Sequence, residues 1–205
     1  MKSLRYLILF TLIWNVTALA DDPYTAEELL KSKIEAVLTV LQNKDLELQA
    51  KKKEVSEIVT PIFDFELMAK LTLGKAHWPG LPENKKKKFT DLFVRLLKDF
   101  YLEKMNQYTD EKVVYKSSVQ VKNKVHVPTE VISKDTKISM LYKFYESQNG
   151  WKVYDIEVEG VSLIVTYRSQ FDQILRNGTI DDLLIKLENR EITGTTLATD
   201  SKQSI

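Results

Sequence analysis

The 205-residue sequence contains no cysteine. It can therefore form no disulfide, no thiolate metal site and no lipidated amino-terminal cysteine. Histidine is nearly as scarce, with His77 and His126, and the phosphate-binding and dinucleotide-binding glycine motifs are missing. Ser162 follows Gly160 at the spacing of a nucleophile elbow, but the second glycine of that motif is absent. We therefore expect no catalytic residue, no cofactor and no metal.

The chain also lacks an excess of charge of either sign. Its 30 lysine and arginine residues face 29 aspartate and glutamate residues. Lys2 and Arg5 are the basic residues among the first twenty, so removal of those twenty leaves 28 of the 30 basic groups. A dedicated nucleic-acid binder needs a basic excess to release counterions from phosphates. The near-neutral balance argues against that class of protein.

One nearly uninterrupted apolar run of about ten residues is present, and it lies at the amino terminus. Lys2 and Arg5 precede Leu7–Val16, which is almost wholly apolar, and Ala18–Ala20 follows. A basic start, a short apolar core and an Ala-x-Ala site are typical of a secretory signal peptide. The alternative, a transmembrane anchor, is disfavoured because the run is too short to span ~30 Å of hydrocarbon comfortably.

These features divide the chain into a signal peptide, residues 1–20, a single domain, residues 21–190, and a flexible tail, residues 191–205. About 185 residues are enough for one domain with a sizeable core. The tail is rich in threonine and serine and has little to bury. The sequence thus predicts an exported protein with one folded domain.

Apolar residues recur at helical spacing in several segments. The longest, about residues 83–108, carries a regular apolar stripe from Phe89 to Tyr101. Lys85–Lys88 in its first turns indicates a solvated face, or alternatively a patch for anionic lipid headgroups or an acidic partner. Gly74 is expected to end a short preceding helix. The shorter predicted helices cover about residues 26–42, 46–60, 65–73, 162–176 and 180–190.

Four segments alternate with the period of a strand: Val113–Val121, Val125–Val131, Ile138–Phe144 and Gly150–Glu159. Short turns join them, which indicates an antiparallel meander with one apolar, aromatic face. The predicted fold class is therefore α+β.

Two positions refine this meander. Pro128 fits best at a sheet edge, or where its missing donor is not needed. Gly160 lets the last strand turn sharply into the next helix, which Ser162 is expected to cap.

The polar residues around the last strand give only weak support for a metal site or a catalytic site. Asp155, Glu157 and Glu159 share one strand face and could hold a cation, but the ligand set is thin. We expect instead that Asp155 forms a structural ion pair with Arg168, which would lock the strand to the following helix. In an enzyme acting on a small hydrophobic substrate, Asp155 or His126 would have to be the acid–base group.

The apolar stripe of the helices and the apolar face of the sheet have to meet. They can form a filled core, which is the usual outcome. They can also enclose a dry apolar cavity that accepts an apolar ligand. Periodicity alone does not separate the two.

Five segments carry a resemblance to a known family: Trp151–Ile156, Glu159–Leu163, Thr166–Phe171, Ile62–Trp78 and Phe89–Tyr101. Together they resemble the MlaC-like family, also called toluene-tolerance proteins, an auxiliary component of an ABC-type lipid transporter. The resemblance covers about residues 25–188. It implies a twisted antiparallel sheet wrapped by helices around an apolar lipid pocket.

The resemblance also implies a function. It indicates a soluble periplasmic carrier that binds a phospholipid by its acyl chains. Such a carrier would shuttle lipid between an outer-membrane lipoprotein–porin complex and an inner-membrane ABC transporter complex with its substrate-binding subunit. The alternatives are a carrier of another lipid such as a hopanoid, an enzyme, and a structural subunit with a filled core. From face and motif position, the candidate lipid-binding residues are Met68, Leu71, Leu73, Leu96, Phe100, Tyr142, Val158, Val161, Leu163 and Tyr167.

Overall fold

The computed structural model describes residues 23–103, 111–133 and 136–192. The predicted signal peptide and most of the predicted tail lie outside these residues. In the described part the helices are α1 (Pro23–Gln42), α2 (Leu48–Val59), α3 (Phe65–His77), α4 (Glu83–Glu103), α5 (Leu163–Asn177) and α6 (Ile180–Glu188). None of these helices is both long enough and apolar enough to cross a bilayer.

The strands form one antiparallel sheet, which confirms the predicted α+β class. They are β1 (Lys112–Tyr115), β2 (Val119–Val121), β3 (Lys124–Ser133), β4 (Thr136–Ser147), β5 (Gly150–Val158) and β6 (Val161–Ser162). The sheet order is β1-β3-β4-β5-β6, with β2 also paired to β3. The meander is therefore present, but the first predicted strand is split into β1 and β2.

Pro128 accounts for that split. It lies in β3, an inner strand, and its carbonyl accepts a hydrogen bond from the Lys116 backbone N at 3.0 Å. The N and the C=O of one residue point to the same side of an antiparallel strand, so the missing N–H of Pro128 faces the same neighbour. Pairing resumes one residue out of register, from Tyr115↔Thr129 to Val119↔His126. Pro128 therefore does not lie at a sheet edge, which was the first alternative. It occupies a position at which no backbone donor is needed, which was the second.

The junction between sheet and helices follows the expected turn. Glu159 (φ 51°) and Gly160 (φ 77°) form a two-residue loop between the paired Val158 and Val161. Two successive residues with positive φ are what a type I′ hairpin requires. Ser162 then caps α5, since its Oγ accepts from the Val165 backbone N at 3.1 Å.

The interior consists of two apolar clusters, which we call the helical core and the sheet core. The helical core lies among α3, α4, α5 and α6, and Phe89, Phe93, Tyr167 and Phe171 form an aromatic group at its centre. The sheet core joins α1 to β3, β4 and β5; its buried members are Ala26, Leu30, Ile62, Val125, Val127, Phe144, Trp151 and Val153. Phe63, which is half-buried, packs against both.

Gly74 bends α3 rather than ending it. Its φ of 63° and ψ of −172° lie outside the helical region, and helical structure continues to His77. This conformation is essentially restricted to glycine. A Cβ at this position would lie 3.6 Å from Arg168 Nε, an ordinary contact distance, so the constraint comes from the backbone.

We expect Gly74→Ala to lower the free energy of unfolding by about 1–3 kcal/mol, the usual cost of such backbone strain. The measurement is urea denaturation. Gly80→Ala is the matched control, because a Cβ there meets nothing within 4 Å. Equal effects of the two substitutions would contradict the assignment of strain to Gly74.

Candidate functional site

Asp155 joins the sheet to the start of α5. Its side chain accepts from Lys143 Nζ at 3.0 Å, from Ser162 Oγ at 2.8 Å and from the Ile164 backbone N at 3.2 Å. Asp155 is 5% exposed. A carboxylate at a helix N-terminus is stabilised by the unpaired N–H groups there. The three donors fully engage this carboxylate in holding the fold together.

The predicted ion pair between Asp155 and Arg168 is wrong. Arg168 instead donates through Nε to the Leu71 carbonyl oxygen at 2.9 Å, and through a second guanidinium nitrogen to the same oxygen. It therefore ties α5 to α3, beside the kink at Gly74. Asp155 and Arg168 each bond to a neighbouring element, but not to one another.

Asp64 forms a second joint, between the sheet and α3. It caps the helix by accepting from the Leu67 backbone N at 2.9 Å, and it also accepts from the Tyr145 hydroxyl on β4. Its own backbone N donates to the Val153 carbonyl on β5 at 2.9 Å. The hydrogen bond to Asp64, with burial, raises the pKa of Tyr145 to about 12.

His126 does not complete an acid–base pair with Asp155. It lies opposite Lys143 on the neighbouring strand. Burial, and then the charge of Lys143, hold the pKa of His126 below its usual value. Lys143 also pairs with Glu157. The lowered pKa keeps His126 uncharged at neutral pH, and the carboxylate of Asp155 is bonded to Lys143, Ser162 and the Ile164 backbone N.

The three carboxylates of the predicted cation face are engaged by protein donors. Asp155 and Glu157 share Lys143, and Glu159 accepts from the Ser139 backbone N. Within the described ranges, no group of three or more potential metal ligands is present.

The lysine block at the start of α4 is neutralised by carboxylates. Lys85 and Lys88 reach across to α6, whereas Lys86 and Lys87 pair within α4. The pairs are Lys85–Asp181 at 2.7 Å, Lys86–Glu83 at 2.7 Å, Lys87–Asp91 at 2.7 Å and Lys88–Glu188 at 2.9 Å. Exposed pairs of this kind contribute little to stability. They do favour the solvated-face interpretation over a patch for anionic headgroups.

Four of the ten candidate lipid-binding residues are buried in the helical core. Met68, Leu73, Leu163 and Tyr167 are each 5% exposed or less and are packed by protein side chains. Tyr167, for example, meets Phe93 edge-to-face at 5.4 Å between ring centroids. Their role as lipid contacts stays a prediction, and it requires this core to rearrange.

The remaining candidates lie at the margins of the two cores. Val161 is exposed, at 45%, on the short strand β6. The other five are half-buried, and we call them, together with Ile156, the seam residues. On the helices they are Leu71, Leu96 and Phe100, and on the sheet they are Tyr142, Ile156 and Val158. Leu71 and Leu96 pack against the helical core, and Tyr142 and Ile156 against the sheet core.

The described residues border open surface grooves, among them the following two. One, of about 380 Å³, lies beside the β4–β5 turn and is bordered by Phe63, Phe65, Tyr145 and Lys152 among others. The second, of about 360 Å³, lies between α2 and α4 and is lined mostly by charged and polar side chains. Neither is the apolar pocket expected from the sequence, which stays a prediction.

The sequence analysis missed two residues of the inward sheet face. Tyr115 and Thr129 face one another on β1 and β3. Their hydroxyl oxygens are buried, and neither has a hydrogen-bond partner among the residues that the structure describes. Strand alternation indicates the face on which they lie, but no sequence signal reveals an unpaired hydroxyl.

Comparison with known proteins decides the family. A family model described as MlaC protein matches residues 31–189. The chain belongs to the MlaC family. The chain is also similar to a solved structure from Ralstonia solanacearum, a phospholipid-binding protein in complex with a phospholipid. It is 26% identical, with a TM-score of 0.73, and the match covers 80% of this chain and 96% of the relative. No curated protein sequence matched.

We expect Asp155→Ala to lower the free energy of unfolding by about 3 kcal/mol, which is the lower end of the usual cost of breaking a buried ion pair. The lower end applies because Lys143 would still be paired with Glu157 in the variant. Glu157→Gln is the control, since its carboxylate is more exposed than that of Asp155 and pairs with Lys143. Its cost should stay below about 1 kcal/mol. Urea denaturation at neutral pH measures both. A smaller effect for Asp155→Ala than for the control would contradict the conclusion that Asp155 links the sheet to α5.

The raised pKa of Tyr145 predicts a pH dependence of the free energy of unfolding. A folded-state pKa of about 12, above the ordinary value of 10.0, means that the folded protein keeps this proton longer than the unfolded chain. The hydrogen bond to Asp64 therefore stabilises fully below pH 10, and its contribution falls as the pH rises towards 12. We expect the stability difference between wild type and Tyr145→Phe to shrink across this range in urea denaturation. A constant difference would be inconsistent with the shift.

Proposed function

We propose that this protein is a carrier that binds a phospholipid by its acyl chains. The observation that carries the proposal is the phospholipid bound to the similar protein from Ralstonia solanacearum, 96% of which is covered by the match. The division of the interior into a helical core and a sheet core supports it. Domains usually have one contiguous core. An interior in two parts can separate and admit a ligand without breaking either part.

The energetics favour a carrier. Each buried methylene contributes about 0.8 kcal/mol, so a lipid with two long chains does not cross water unaided at useful rates. The seam residues offer apolar surface that is already partly exposed to water. Covering that surface and the acyl chains together stabilises the complex.

The proposed route runs through the periplasm. The predicted signal peptide, residues 1–20, would export the chain. The lipid would pass between an outer-membrane lipoprotein–porin complex and the substrate-binding subunit of an inner-membrane ABC transporter complex. No covalent step is needed, which fits a fold in which the carboxylate of Asp155 is engaged by three donors.

The test is native mass spectrometry of protein purified from the periplasm, with extraction of the bound lipid. We expect one diacyl phospholipid per chain. Phe100→Asp places a charge among the seam residues and should lower occupancy at least roughly tenfold, since burying a charge against acyl chains is costly. Val165→Asp is the matched control, because Val165 is 60% exposed on α5. Its occupancy should equal that of wild type.

Three outcomes would count against the proposal. Protein that carries no lipid and takes up none from phospholipid vesicles would remove the carrier function. A hopanoid as the bound species would change the lipid class. Turnover of a small hydrophobic substrate by lipid-free protein would favour an enzyme instead.

A further inference from the structure

Tyr115 and Thr129 each place a buried hydroxyl group on the inward face of the sheet. They are cross-strand partners in the β1–β3 register. Thr129 is 1% exposed, and the oxygen atoms of both side chains are shielded from solvent. Neither oxygen has a hydrogen-bond partner within residues 23–103, 111–133 and 136–192.

Such hydroxyls are unusual because native proteins satisfy nearly all their buried polar groups. The neighbouring inward positions on β1 and β3 are occupied by valine, at Val113, Val127 and Val131. Valine has almost the shape of threonine and would fill the Thr129 position without a polar atom. The hydroxyl of Thr129 therefore forms no hydrogen bond among the described residues, and a ligand can supply its partner.

The pair lies next to the apolar seam. Thr129 is opposite Met140 on β4, and Met140 is opposite Val158 on β5. Tyr142, one inward position along β4, donates a weak hydrogen bond to Met140 Sδ at 3.7 Å. Thr129 thus places a hydroxyl within a row of apolar side chains, and Tyr115 is its cross-strand neighbour.

A cation and a carboxylate both lie near Tyr115, so neither sign of charge dominates its surroundings. Lys31 Nζ lies 6.0 Å from the centre of its ring. Burial, and then the charge of Glu35, raise the pKa of Tyr115, so its phenol stays protonated and can donate. A phosphate here would lose its hydration and lie close to Glu35, which is costly. The matching group is an uncharged acceptor attached to apolar chains.

We propose that the Tyr115 and Thr129 hydroxyls donate hydrogen bonds to the ester carbonyl oxygens of a bound diacyl glycerolipid. This inference rests on the proposed function. A diacyl glycerolipid carries two such carbonyls, one at the head of each acyl chain. The two hydroxyls recognise the ester linkage and set the depth to which the chains are inserted. Since both oxygens are covered here, the lipid has to displace the side chains above them.

The experiment compares two lipids that differ only at the linkage: dipalmitoyl phosphatidylglycerol and its dihexadecyl ether analogue. Delipidated full-length mature protein is titrated with each, and occupancy is read by native mass spectrometry. We expect wild type to prefer the ester lipid by roughly tenfold, the effect of two modest hydrogen bonds. The double variant Tyr115→Phe with Thr129→Val should bind both lipids equally.

Thermal stability of the lipid-free protein gives a second readout. Removing hydroxyls that have no partner should leave the Tm unchanged or raise it. Thr72→Val is the matched control, because Thr72 is also buried but its hydroxyl donates to the Ala69 carbonyl at 2.8 Å. That variant should lower the Tm and keep the ester preference.

The outcomes separate this inference from the proposed function. Equal binding of both lipids by wild type, a preference that survives in the double variant, or a lower Tm for that variant would each overturn the role of the hydroxyls while leaving a carrier in place. Binding of neither lipid by wild type would overturn the proposed function, and this assignment with it.

Discussion

Two carboxylates hold the helices to the sheet, and the architecture depends on them. Asp64 accepts from the first turn of α3 and from Tyr145 on β4. Asp155, on β5, accepts from the first turn of α5 and from Lys143 on β4. Each satisfies N–H groups that a helix start leaves unpaired, and each fixes the direction in which its helix leaves the sheet. The joints are local and directional, unlike apolar packing.

Because the hydrogen bonds of Asp64 and Asp155 position the helices, whereas apolar packing fills the interior, one domain can have two separate cores. The joints position the helical layer, so the apolar surfaces of the two layers need not seal against each other along their whole length. Phe63 touches both cores, and the seam residues remain partly exposed. Separation of the layers along the seam would break few contacts within either core. A carrier needs this property, because its ligand enters and leaves without unfolding the protein.

The sequence predicts the helices and strands better than it predicts which side chains contact one another. Alternation and turn residues identify the meander, and Gly160 with Ser162 marks the sharp passage into α5, because these signals are local. The partner of Asp155 is not predictable from proximity in the chain: Lys143 reaches it through strand register, whereas Arg168 points to Leu71. Periodicity likewise assigns Leu73 and Leu71 to a helix without telling which is fully buried. The unpaired hydroxyls of Tyr115 and Thr129 depend on what surrounds them in three dimensions.

The split of the first strand at Pro128 has a consequence for solubility. Among the described strands, β1 and β2 form one edge of the sheet, where Val114, Val119 and Val121 are exposed. A long, flat, apolar edge is a template for addition of a strand from another molecule and so for fibril growth. Here the edge is cut into pieces of four and three residues that are out of register. At Pro128, where the ladder lacks one hydrogen bond, this edge is therefore interrupted and offers no long continuous template to a strand from another molecule.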